Sequence, residues 1–400
     1  MESVILSKQE TRTRIDKIIT AMNEYHPDWD TVIIVSRVNQ YYFLGTMQDG
    51  ILFIEKNGNV SCFVKRSYER AIDESPLASD GVIRQMDSYR DAAAVIGEYR
   101  GNTYVESEVM TLSLLGRLKK HFRFDRIDSV DKTVFSVRAV KSDYEISVLE
   151  EAGRRHDDFL LNVVPTLLFE GISEAEFVGE LYSELMKRGH QGLTRFSMFQ
   201  TEMGIGQVAF GENSLYPTSF DGPGGSRGMN AAVPIIGSYN RKLKKGDSVF
   251  VDAAFGILGY HSDKTQVFVY GGKPPQEAVK AHNLCMELQN TLASRLITGA
   301  IPSEIYRTVM QELDESEKEN LGGYKDRKVR FFGHGIGLQV DEYPVIAEGF
   351  DSPLEANMVI ALEPKKGIAG FGVVGVEDTY VVTANGGRCI TGGAREIVEI

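Results

Sequence analysis

The stretch FVDAAFGILGYHSDKTQVFVY, residues 250–270, sets two aspartates, Asp252 and Asp263, inside strongly apolar text. Glycines at 256 and 259 mark a turn between them, so the stretch reads as a hairpin that brings both carboxylates to one face at one end. Working outward, FGHGIGLQVDEYP (332–344) carries His334 among glycines, which let backbone approach a metal or substrate closely. VIALEPK (359–365) ends an apolar run on Glu363, and GVVGVEDTYVV (372–382) holds Glu377. These two runs read as strands joined through a glycine-rich turn, KKGIAGFG (365–372). One acid in such text would read as a turn cap. Asp252, Asp263, His334, Glu363 and Glu377 together read as a metal cage, because buried carboxylates are costly unless they converge on cations. An oxygen-rich set with one imidazole suits manganese, iron, cobalt or zinc, and four carboxylates suit two divalent ions.

At 400 residues the chain is long for a single core, and two domains are expected. Hydrophobic content of 42% and charged content of 25% are those of a soluble globular protein. A net charge of −12 argues against nucleic acid and anionic membrane as partners. The first residues lack a secretion-signal pattern, and no apolar run approaches a membrane span. Cys62, Cys285 and Cys389 match no metal or redox spacing and read as thiols in a reducing cytoplasm.

Residues 7–26 predict an amphipathic helix with Ile15, Ile18, Ile19 and Met22 on one side. TVIIVS (31–36) predicts a strand, and 37–64 predicts strands around an Asn57-Gly58 hairpin turn. A domain boundary falls near 136, giving 1–136 and 137–400. Beyond it, RAVKSDYEISVLEEAGRRHDDFLLNVVPTLL predicts a long helix broken at Pro165 and Gly171, and SEAE (173–176) a capping box starting the next. The patterns of 171–189 and 299–316 echo each other: glycine, serine, amphipathic helix, then the strand-like RFSMFQ or VRFFGHGIG. Two such halves suggest a duplicated α/β unit with pseudo-twofold symmetry. The Gly- and Pro-rich segment 212–240 is expected to be an ordered loop bordering the pocket.

RKLKKGDSVFVDAAFGILGYHSDKTQVF (241–268), FGHGIGLQVDEYP, ALEPK and VGVEDTYVVT resemble the methionine aminopeptidase, Xaa-Pro peptidase and creatinase family. RAVKSDYEISVLEEAG (138–153) resembles the opening of that family's pita-bread domain, and VNQYYFLGT (38–46) a segment of its N-terminal domain. The resemblance covers essentially the whole chain. It implies a small creatinase-like α/β domain followed by a pita-bread catalytic domain, thus mixed α/β and α+β, in a cytoplasmic homodimer. It also implies two divalent ions, manganese first among the candidates. Asp252 would hold one ion and His334 and Glu363 the other, with Asp263 and Glu377 bridging and Glu363 accepting the proton of the attacking water.

Three positions depart from that family. A histidine after a proline becomes Ile235, a second histidine becomes Asp341, and an arginine two residues before the last glutamate becomes Gly375. The two histidines ordinarily hold the substrate carbonyl, and losing one such donor costs on the order of a hundredfold in turnover. Asp341, His261, Tyr216 and Arg227 are the candidates to contact substrate in their place. The expected function is therefore a metal-dependent hydrolase of the Xaa-Pro peptidase kind, acting on a peptide or small amide. The alternatives are a pita-bread enzyme turned to a non-peptide substrate, by C–N hydrolysis or lyase chemistry, and a metal-binding scaffold without turnover.

Overall fold

Strand Thr31–Ile34 (β1) is buried along its whole length, and a sheet has formed around it on both sides. This computed structural model describes residues 6–198, 201 and 203–400, in two compact units, Met1–Arg138 and Ala139–Ile400. In the first unit β1 is joined by Asp49–Glu55 (β2), Val60–Arg66 (β3), Ile83–Gln85 (β4), Tyr99–Val105 (β5) and Arg123–Ser129 (β6). Their order is β4-β3-β2-β1-β5-β6, with β1 antiparallel to β2 and parallel to β5. Helix Lys8–Tyr25 starts at Ser7, whose side chain accepts from the Glu10 amide, and buries Ile15, Ile18 and Met22. The structure differs from the sequence reading at Arg37–Leu44, which is a helix and not part of a strand run. Aromatic residues suggested extended chain there. Gly45 instead takes a left-handed φ of +74° and ends a helix that buries Tyr42, Phe43 and Leu44.

The second unit opens with helix Asp143–Asp158, capped reciprocally by Ser142 and Glu145. Irregular turns lead through Pro165 to helix Glu174–Lys187, whose Ser173–Glu176 capping box is the one expected. Strands Gly206–Phe210 (β7), Ser248–Ile257 (β8) and Tyr260–Val269 (β9) form an antiparallel sheet. The C-terminal Val398–Glu399 joins its outer edge beside β9. The β8–β9 hairpin turns on Leu258 (φ +50°) and Gly259 (φ +90°), a two-residue turn whose twist matches the strands.

The other half of this unit carries helices Gln276–Ser294 and Pro302–Glu312 and a short ribbon, Gly323–Tyr324 (β10) with Arg327–Lys328 (β11). Its strands are Phe331–Gly335 (β12), Glu342–Ala347 (β13), Val359–Leu362 (β14), Lys365–Ile368 (β15), Gly372–Gly375 (β16), Asp378–Thr383 (β17) and Gly386–Cys389 (β18). The larger sheet runs β13-β12-β14-β17-β18, while β15 and β16 pair as a separate hairpin. Leu288, Leu292, Ile305, Val309, Ile346, Ile360 and Leu362 form a buried core between this sheet and its helices. Each half thus brings a mainly antiparallel sheet with two longer helices, and the second adds the single turn Glu315–Lys318. Strand-like text after the two echoing helices behaves differently: 331–335 is β12, whereas Arg195–Met198 forms no strand, and Phe199 and Gln200 lie outside the described residues. The two sheets meet where Thr265 bridges Glu377 and the Asp263 amide donates to Thr379 Oγ1 at 2.9 Å.

Two buried histidines fasten helical text to the β8–β9 hairpin. His156 lies 3.2 Å from Ser262 Oγ, and His190 Nδ1 accepts from the Gly256 amide at 2.9 Å. Burial lowers both pKa values, that of His190 to about 4. An unfolded histidine titrates near 6.5, so the unfolded chain binds more protons between pH 6.5 and 4. Stability from this source is complete above pH 6.5 and declines as pH falls through that window, by about 3 kcal/mol for His190. Urea midpoints measured from pH 7.5 to 4.5 are expected to fall less steeply for His190→Asn than for the native chain; equal slopes would refute this.

Candidate metal centre

Register explains why the two aspartates converge. Asp252 faces Thr265 across the hairpin and Asp263 faces Ala254. Residues 252 and 254 share a face, so both carboxylates emerge on one side. His334 on β12 pairs with Ala361 on β14, which sets it beside Glu363 by the same alternation. Glu363 and Glu377 sit at a break between two ladders: Leu362 pairs with Asp378, and Lys365 pairs with Gly375. The KK of KKGIAGFG is therefore strand and not turn, and the chain reverses only at 369–371.

All five residues line one cavity of about 400 Å³. Donor atoms of Asp263, His334 and Glu377 lie within 4.8 Å of one another, and so do those of Asp252, Glu363 and Glu377. His334 Nδ1 lies 3.1 Å from the Gly335 carbonyl, which leaves Nε2 facing Glu363 Oε1 at 3.4 Å and Glu377 Oε1 at 3.9 Å. Glu377 Oε1 is buried with no hydrogen-bond partner. An orphaned anionic oxygen beside an imidazole and Asp263 fits a cation at that triad.

The second triad is different, and the sequence reading passed over the reason. Lys365 Nζ donates to Asp252 Oδ2 at 3.0 Å, Glu363 Oε2 at 2.9 Å and Glu377 Oε2 at 2.5 Å. Its side chain is fully buried. The signal was present in ALEPK, a lysine two residues beyond a ligand-type glutamate at the end of an apolar strand.

Electrostatics follow from this crowding. Burial raises Asp252 to about 7 despite Lys365. Burial, then the charges of Glu377 and Asp252, push Asp263 well up. For Glu363 burial is outweighed by Lys365 and His334, which hold its carboxyl below the usual range. Burial opposes charge on His334, but the hydrogen bond and charge of Glu363, with Glu377 and Asp263, raise it to about 10. A cation held by His334 would take the place of that proton.

The proposed substrate contacts fall out unevenly. Asp341 lines the cavity, yet its carboxylate accepts from the Ser197 amide at 2.5 Å, Ser197 Oγ at 2.9 Å and the Met198 amide at 3.1 Å. It holds a cavity-wall loop in place. His261 does not line the cavity: Nδ1 faces the Gly337 carbonyl at 3.2 Å and Nε2 faces Gln191 Nε2 at 2.8 Å. Tyr216 is 42% exposed, with the Arg227 guanidinium 4.0 Å over its ring, and neither lines the cavity. From the 212–240 loop it is Phe220 and Asp221 that reach the wall, and Arg327 clasps the loop through the carbonyls of Gly222 and Gly224. Ile235 lines a neighbouring cavity that shares Met203 and Phe220 with the first. Gln207, beside Asp252 in the β7–β8 register, was missed; the residue lines the cavity, while its side-chain amide is buried with both polar atoms unpartnered.

Comparison with known proteins agrees with this architecture. Residues 147–384 match the model of metallopeptidase family M24, and residues 14–140 that of the creatinase/prolidase N-terminal domain. The chain belongs to metallopeptidase family M24, a family of metal-dependent hydrolases. It is 26% identical over 386 residues to an uncharacterized peptidase of Staphylococcus aureus (strain USA300), covering 95% of this chain and 99% of that one. Its fold is similar to the Xaa-Pro dipeptidase from Bacillus anthracis (TM-score 0.77, 22% identity, 98% and 100% of the chains). It is also similar to the prolidase from Pyrococcus horikoshii OT3 (TM-score 0.76, 22% identity, 96% and 100%). No helix among the described residues is long and apolar enough to cross a membrane.

Gly375 shows why an arginine has no place there. Its φ is +132°, and a Cβ would stand 2.5 Å from the Pro364 carbonyl oxygen and 2.6 Å from Lys365 Cα. Gly375→Ala is expected to cost at least about 1–3 kcal/mol in backbone strain alone and to lower the melting temperature by several degrees. An unchanged melting curve would mean that the hairpin tolerates a side chain opposite Lys365.

Proposed function

We propose that this chain is a metal-dependent hydrolase that cleaves a C–N bond in a small peptide or amide bearing a free amine. The observation that carries the proposal is the convergence of Asp252, Asp263, His334, Glu363 and Glu377 on one cavity. Asp263, His334 and Glu377 are the residues that would hold a divalent ion, manganese first, then cobalt, iron or zinc. Such an ion supplies Lewis-acid activation of water and polarisation of a carbonyl. Glu363, kept ionised by Lys365 and His334, accepts a proton from the attacking water.

Charge favours an amine over a carboxylate as the substrate's second handle. The described cavity wall carries Asp221, Asp341 and Glu342 and no lysine or arginine. Lys141 neutralises Glu342 at 3.0 Å, and Asp341 is committed to its loop, which leaves Asp221, with the Arg327 charge behind its loop, as the remaining acid of the wall. A second reading, C–N hydrolysis of a non-peptide amide, is favoured by one observation: His334 is the sole imidazole lining the cavity among the described residues. A cytoplasmic homodimer belongs to the same proposal; the three unpaired cysteines support a reducing compartment.

Incubated with manganese, the chain is expected to hydrolyse Xaa-Pro amides or related aminoacyl amides faster than the corresponding free dipeptides. Asp263→Asn and His334→Ala should each lower kcat by on the order of a hundredfold or more. The proposal fails if no amide or peptide in the panel is cleaved, or if cleavage survives both substitutions.

A further inference from the structure

We infer that Lys365 is a built-in cation occupying one of the two positions this family pattern offers to metals, so that the centre takes a single divalent ion. The inference rests on the hydrolase reading above and specifies its metal content. The three oxygens within 2.5–3.0 Å of Lys365 Nζ belong to Asp252, Glu363 and Glu377, the same three residues that form the second candidate triad. A transition-metal ion sits about 2.0–2.2 Å from carboxylate oxygens. An ion bound to those oxygens would have to stand in the space that Nζ fills. The two are mutually exclusive unless the lysine swings away.

Swinging away is opposed by its surroundings. Lys365 is fully buried, and its ammonium lies 5.9 Å from the centre of the Phe250 ring. Leaving the three carboxylates would strand an unpaired buried ammonium. The opposite strand is shaped to match: Gly375 faces Lys365 in register, and any Cβ there would collide with Lys365 Cα. The first triad is untouched. Glu377 turns Oε2 to Lys365 and leaves Oε1, without a partner, on the side of His334. One carboxylate thus divides its two oxygens between a fixed ammonium and an exchangeable ion.

The test is metal content, with manganese or cobalt as the probe and no substrate. The full chain is saturated, freed of excess metal by gel filtration, and measured for ions per chain, with anomalous diffraction to locate them. One ion at Asp263, His334 and Glu377 is the expected result. Lys365→Met should then admit a second ion. Should that variant not fold, Asp252→Asn decides: it keeps its one ion, while Asp263→Asn and His334→Ala lose at least tenfold in affinity. Two ions in the native chain, an ion found between Asp252 and Glu363, or loss of the ion in Asp252→Asn would overturn the inference and leave the hydrolase reading standing. No bound ion under saturating metal would overturn both.

Discussion

Four carboxylates share one largely buried cleft, and they can do so only in the company of cations. Isolated, each would take up a proton; the raised values of Asp252 and Asp263 express that tendency. Lys365 supplies one positive charge from within the fold, bound to Asp252, Glu363 and Glu377 together. Much else in this half of the chain serves that arrangement. The β14–β17 ladder stops at Glu363 and Glu377, and a separate ladder resumes at Lys365 and Gly375. The interruption points both glutamates inward while the lysine returns to them from the next pair. A removed ammonium would leave three buried anions facing one another, which is why the lysine is as structural as it is electrostatic.

The carboxylates were readable from the sequence because their setting is anomalous. Asp252 and Asp263 interrupt apolar strand text, and a two-residue periodicity puts both on one face. The same rule misplaced His261. It shares the strand parity of Asp263, but it lies toward the hairpin end, where its ring is held between the Gly337 carbonyl and Gln191. Parity assigns a face; it does not say how far along that face a cavity extends. Lys365 was overlooked for the converse reason. Pro364 follows Glu363, and the lysines with the glycine beyond them resemble turn text, so 365–368 reads as turn where the chain forms strand β15. Tyr216 was the conspicuous aromatic of the long loop, whereas Phe220 and Asp221 are what Arg327 holds against the cavity. Loop reach of that kind depends on a clasp from residue 327, and no local pattern announces it.

Charge in the centre connects the metal count to the substrate. With all four carboxylates ionised and His334 neutral, as metal binding would require, the one ammonium and a single dication would leave one negative charge. Two dications with no lysine would leave none. A centre built around Lys365 is therefore one unit more negative than the two-ion version of the same ligand set. Asp221 at the wall adds to that sign, tempered by the Arg327 charge behind its loop, and the described lining holds no basic residue. An anionic substrate group would enter against this field, while an ammonium would be drawn along it. The residual negative charge also weakens the pull on a developing oxyanion, in a site to which, among the described lining residues, His334 alone brings an imidazole. Under the hydrolase reading proposed above, both features would favour a substrate that brings its own positive charge and a cleavage that needs less oxyanion stabilisation than an ordinary peptide bond.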